Sequence, residues 1–231
     1  MPIAPIQLLP IHPNLNPKPT KMTTEMTVYD LEILNKVMMR RITKGYTSFE
    51  LSFLIGRPLD YIRNVESLKS PMYNRTELSV IAAALGDEDH YGYLPSDDDC
   101  DDLLQVSMQK TLRDNKFYYT CTTHSGSPET GIRFMVYEDS RIDENAKNKE
   151  SNIRHSNLIR DAILYIKSSG FFATPKMPFD ILHKVNSLLS MEVNVSELDK
   201  LTQWFSDEGA LLQERLNLQG RYCFTEIGIN K

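Results

Sequence analysis

Cysteine is scarce in this 231-residue chain: Cys100, Cys121 and Cys223 are all there is. An odd, widely spaced set is neither a disulfide framework nor a zinc site, so three reduced thiols are expected. No glycine cluster forms a phosphate-cradling loop. His-Glu-x-x-His, Cys-x-x-Cys and the Gly-x-Ser-x-Gly elbow are missing too. The five histidines (His12, His90, His124, His155, His183) are scattered. These gaps leave no positive sign of an enzyme, a bound metal or a cofactor. No apolar run approaches the ~20 residues of a membrane-spanning helix. The first residues hold no basic segment, and Pro2, Pro5 and Pro10 interrupt any apolar one, which argues against a signal peptide. A cytoplasmic protein without membrane attachment is the expectation.

What is present is unevenly spread. The net charge of −5 conceals a middle segment, residues 87–150, that carries −8, while residues 26–86 carry +2. The acidity centres on Asp97, Asp98, Asp99, Asp101 and Asp102. That run lacks the glycine and distal glutamate of a calcium loop and reads as a solvated linker. An acidic chain is unsuited to indiscriminate nucleic-acid binding, but a mildly basic head leaves room for a specific reader.

Residues 1–21 hold six of the twelve prolines, so residues 1–25 read as a disordered tail. Helical periodicity begins at Val28: Leu31, Leu34, Met38 and Ile42 recur at spacings of three and four. Lys44-Gly45 closes that helix. Thr47-Ser48-Phe49-Glu50 has the capping-box form and opens a second helix through Leu54. Gly56 ends it, and Pro58 suits the first turn of a third helix, residues 58–66, with Ile62 and Val65 inward. A fourth carries Leu78, Ile81, Ala82 and Leu85 before Gly86. The expected fold class is mainly α. It has a four- to five-helix domain at 26–90, an acidic linker at 91–102, and a helix (Leu103–Arg113) plus a β-hairpin (Phe117–His124 with Ile132–Glu138) at 103–139. A polar linker at 140–153 and an α+β domain at 154–231 complete it. In that last domain Leu158, Ala162, Tyr165 and Ile166 line one helix, and Trp204 is assigned to the core.

The stretch Gly45, Thr47, Leu51, Gly56, Tyr61, Ile62 and Glu66, followed by Ile81 and Leu85-Gly86, resembles the helix-turn-helix of the phage-repressor (Cro-like, XRE-type) family. The resemblance spans residues 26–86. It implies a regulator of transcription that binds double-stranded DNA, with the helix at 58–66 in the major groove. Carried over by position, Leu59, Asp60, Arg63 and Asn64 would read bases. Asn64 can pair bidentately with adenine, Arg63 can reach guanine, and Leu59 can touch a thymine methyl. Arg40, Arg41, Lys44, Ser48, Lys69 and Arg75 are the candidate phosphate contacts. Asp60 opposes phosphate unless an arginine or a cytosine amino group balances it. Phe49 and Phe53 fall at positions usually open to solvent in that family. Two aromatics there point to packing against another part of this chain or against a protein partner.

Residues 154–228 resemble a winged helix more weakly, through Leu198, Trp204, Gly209, Leu211-Leu212 and Gly220 to Gly228. Its third helix holds Glu197, Asp199 and, near its end, Asp207 and Glu208, a poor face for phosphates. One recognition unit makes few base contacts, so a homodimer is expected, held by residues beyond 100. The rival reading keeps the helix-turn-helix only as a scaffold, in a protein-interaction module of antitoxin, immunity or anti-repressor type.

Overall fold

The computed structural model describes residues 22–96, 102–124, 130–140, 149–216 and 220–226. The chain opens with β1 (Met22–Thr27), which runs directly into α1 (Val28–Thr43). Thr27 makes that junction: its hydroxyl accepts from the Asp30 amide at 3.0 Å and so caps the helix. Then come α2 (Ser48–Leu54), α3 (Tyr61–Glu66) and α4 (Arg75–Leu85). Asn74 and Glu77 form a capping box on α4, and Gly86, at φ +70°, ends it in the left-handed conformation.

Three long strands follow: β2 (Leu103–Arg113), β3 (Lys116–His124) and β4 (Thr130–Asp139). Together with β1 they form an antiparallel sheet of order β1-β2-β3-β4. This overturns the mainly α class with a lone hairpin. The difference sits in Leu103–Arg113, which pairs with β1 through Leu103–Met108 on one side and with β3 through Gln105–Arg113 on the other. Leu, Gln, Met and Lys are good helix formers, yet Leu104, Val106 and Met108 alternate inward toward the core, and pairing on both edges overrides local preference. Residues 22–25, assigned to the tail, supply β1, whose Thr24 and Met26 face Val106 and Leu104 across the ladder. The head is therefore bound into the central sheet rather than joined to it by a tether.

The remainder is α5 (Lys149–Ser168), α6 (Pro178–Leu189), α7 (Val195–Asp207) and the antiparallel pair β5 (Leu211–Leu216) and β6 (Arg221–Glu226). A single bridge between Lys176 and Phe224 ties the start of α6 to β6. Residues 149–153, assigned to a polar linker, are the first turn of α5. On that helix Ile159, Ala162, Ile163 and Ile166 are buried while Leu158 and Tyr165 are exposed, a face rotated from the expected one. Trp204 is half exposed and Phe205 takes the core position instead. The tail of residues 1–21, the centre of the acidic run (97–101) and residues 141–148 lie outside the described residues. Cys121 and Cys223 are free and buried, and burial pushes the Cys121 thiol up to about 11.

Candidate nucleic-acid interface

The α2–turn–α3 segment is fixed by local chemistry that the sequence announces. The Thr47 amide donates to Glu50 at 2.7 Å and the Glu50 amide to the Thr47 hydroxyl at 3.1 Å, so the capping box forms in full. Ser52 is wholly buried inside α2. Its hydroxyl donates to the Ser48 carbonyl at 2.7 Å and accepts from the Ile62 amide at 3.0 Å. That bond pins the first turn of α3, whose amides have no partner within the helix. Ile62 and Val65 then bury themselves against the core.

The opposite face of α3 and its lead-in is open. Leu59 and the side chains of Asp60 and Arg63 are about half exposed (48% for the whole Leu59 residue, 50 and 52% for the two side chains), and Asn64 beside them is partly buried. The Asn64 amide donates to Asp60 at 2.9 Å, and the Arg63 guanidinium stands 4.0 Å from the same carboxylate. The Arg63 guanidinium also lies over the Phe49 ring, 5.1 Å from its centroid, which orients it without a buried partner. The four sequence-assigned base readers thus share one surface, and Asp60 has the neighbouring arginine it requires. The helix itself begins at Tyr61, three residues later than the expected start at Pro58.

The phosphate set fares differently. Lys44, Lys69 and Arg75 are exposed. Ser48 is buried, so its hydroxyl cannot meet a phosphate. Arg40 is engaged by Asp87, whose oxygens accept from its Nε at 2.9 and 3.0 Å. Those hydrogen bonds hold the Asp87 carboxyl below the usual carboxylate range, with Tyr93 donating as well. Arg41 is fully buried and unavailable to any ligand. It grips both Glu66 oxygens (Nε at 2.6 Å, Nη2 at 3.0 Å) and reaches Glu138 on β4 at 2.6 Å and the Tyr46 carbonyl at 2.7 Å. Glu138 in turn accepts from the Tyr119 hydroxyl at 2.5 Å, and Lys110 donates to Tyr119 at 2.6 Å. Burial alone would raise the Glu138 carboxyl, but Arg41, Tyr119 and Lys110 outweigh it and hold it low. For Glu66, buried completely, desolvation wins over Arg41 and the carboxyl is raised. A dry charge cluster therefore joins α1, the end of α3 and the sheet. Its signal is in the sequence: Leu34, Met38 and Arg41 share one helical stripe, and Arg40 lies off it.

Phe53 is buried against this chain's own Tyr222, with ring centroids 6.4 Å apart, while Phe49 remains exposed. The contact extends along α2. The Ser196 hydroxyl donates to Glu50 at 3.2 Å, and the Tyr222 amide to the Gly56 carbonyl at 2.8 Å. Gly56 has φ +65°, and a Cβ there would stand 2.4 Å from the Tyr222 carbonyl oxygen. Only glycine permits both the turn and this approach.

The chain matches no protein-family model, and comparison with curated proteins and with solved structures finds no match. Among the described residues, no cluster of three or more histidine, cysteine or carboxylate side chains could hold a metal ion. Nor is any helix among them long and apolar enough to cross a membrane.

Proposed function

We propose that this chain is a DNA-binding transcriptional regulator of the cytoplasm that reads double-stranded DNA through the open face of α3, without catalysis. The observation that supports it is the outward face formed by half-exposed Leu59, Asp60 and Arg63 and partly buried Asn64 on α3 and its lead-in, whose other face is anchored by Ile62, Val65 and the Ser52 pin. Such a surface offers an amide, a guanidinium, a carboxylate and an apolar group, the chemical types used in direct readout. The resemblance of residues 26–86 to the repressor-type helix-turn-helix supports the same reading. Lys44, Lys69 and Arg75 supply the electrostatic part, a modest one. Footprinting on the chain's own upstream region tests the proposal. Protection is expected at low salt, fading as salt rises. No protection at low salt contradicts it.

A second reading has its own observation. Three of the six phosphate candidates are committed within the fold, and Phe49 stays exposed beside Arg63. A protein-interaction module that uses this face for a partner fits those facts. Stoichiometric co-purification of a protein, lost in Phe49→Ser and accompanied by no DNA affinity, would favour it.

A further inference from the structure

The two aromatics of α2 are used differently by the fold. Phe53 is buried against Tyr222, whereas Phe49, the second residue of the helix, stays 45% exposed. Phe49 meets the next helix instead: the Arg63 guanidinium lies over its ring. The Asp60 carboxylate stands 4.0 Å from the same guanidinium, too far for a hydrogen bond. The Asn64 amide donates to Asp60 at 2.9 Å and so holds that carboxylate beside Arg63. One ring and one charge therefore place the guanidinium. Neither uses up its N–H donors, which form a planar fork of five.

The neighbours of that fork decide what suits it. A phosphate brought to Arg63 would also meet Asp60, like charge against like at close range. The major-groove edge of guanine carries two acceptors, O6 and N7, and no net charge, and it matches a guanidinium in two parallel hydrogen bonds. Resting on the DNA reading above, we propose that Phe49 is a positioning residue for base recognition. With Asp60 it sets Arg63 to take the O6 and N7 of a guanine, and so helps to specify that base without itself reading one. An arginine side chain loses much rotamer freedom when it is fixed on a ligand, and a ring that holds it beforehand lowers that cost. An exposed cation–π contact corresponds to a factor of about two to five in an equilibrium constant. The bidentate contact that it supports is larger, about ten-fold or more in discrimination against a wrong base.

The test enriches duplexes from a random pool with the full chain at low salt. Affinities are then measured for the enriched site and for its single-base variants. One guanine is expected whose preference over adenine falls about ten-fold or more in Arg63→Ala. In Phe49→Leu the same preference should fall about two- to five-fold, with the salt slope of the parent, because no phosphate contact is lost. Phe49→Tyr keeps the ring and should keep the preference. Added to Arg63→Ala, Phe49→Leu should remove nothing further, because the ring acts through the guanidinium. A merely structural role would weaken every sequence alike and would not move the ratio between guanine and adenine. A pool without any enriched sequence contradicts the DNA reading and takes this inference with it. An enriched site leaves the DNA reading standing, and four results there overturn this inference alone. They are no guanine that depends on Arg63, a parent-like preference in Phe49→Leu, a loss in Phe49→Tyr as large as in Phe49→Leu, and a further loss when Phe49→Leu is added to Arg63→Ala. The last would mean that the ring meets the DNA itself.

Discussion

Arg41 and Arg63 show what separates a charge that holds the fold from one that faces outward. Arg41 is dry, grips two carboxylates and a carbonyl, and ties α1 to α3 and β4. Arg63 is half in water, stands 4.0 Å from Asp60, and rests on an aromatic ring. The helix between them is the same: Glu66 closes α3 within the buried cluster, and Arg63 sits one turn earlier on the open face. Where every polar atom is matched inside the protein, little is left for a ligand. Where a donor is oriented but only loosely paired, it can be exchanged for a partner at small cost.

The difference can be broken most sharply from the buried side. Arg41→Ala leaves Glu66 as an uncompensated carboxylate in the interior and takes from Glu138 its nearest cation. It is expected to cost about 3–5 kcal/mol of stability in urea unfolding, the scale for removing one member of a buried ion pair. Arg63→Ala should stay within about 0.5 kcal/mol of the parent, as exposed substitutions usually do. Equal losses at the two positions would erase the distinction.

Next in size is Gly56→Ala. A Cβ 2.4 Å from the Tyr222 carbonyl oxygen, on a residue at φ +65°, must push β6 away from the α2–α3 turn. A loss of about 2 kcal/mol or more is expected. Faster limited proteolysis between residues 207 and 222 should accompany it.

The buried cluster also sets a pH signature. The Glu138 carboxyl is lowered in the fold, so its contribution is present above its unfolded value, about pH 4.3, and is lost as pH falls toward the folded one. Glu66 is raised, so it has the opposite sign: its ionisation costs stability as pH rises from the unfolded value through the folded one. Glu138→Gln should therefore flatten the loss of stability below about pH 4.3, and Glu66→Gln should not. Unfolding midpoints measured from about pH 3 to 7 separate the two.

How much of this is legible in the sequence follows from which interactions are local. The capping box at Thr47–Glu50, the glycine stop at Gly86 and the inward Ile62 and Val65 depend on neighbours a few residues away, and the sequence displays them. β1 depends on a partner about 80 positions away, so a six-residue strand beside a proline-rich stretch looks like tail; β2 pairs with its neighbour β3 across Asp114-Asn115, but its leucine, glutamine, methionine and lysine content reads as helical. Arg41 falls among the phosphate candidates when charge is weighed ahead of its place on the apolar stripe. Phe53 is legible as a packing residue, but nothing in the sequence names Tyr222 as the residue it meets. The open face of α3 is the most readable part, because it needs only the residues that are not inward.

The smallest effects lie on that face and leave the fold untouched. On DNA carrying a footprinted site, Lys44→Ala should weaken binding to all sequences and reduce the salt slope by about one unit. The most direct measurement is the affinity of Asn64→Ala for that site as a function of salt, beside the parent chain. A loss of about 1–3 kcal/mol at one base position, with an unchanged salt slope, is the result expected if α3 reads DNA. Parent-like affinity and sequence preference in Asn64→Ala, and likewise in Arg63→Ala, would contradict it.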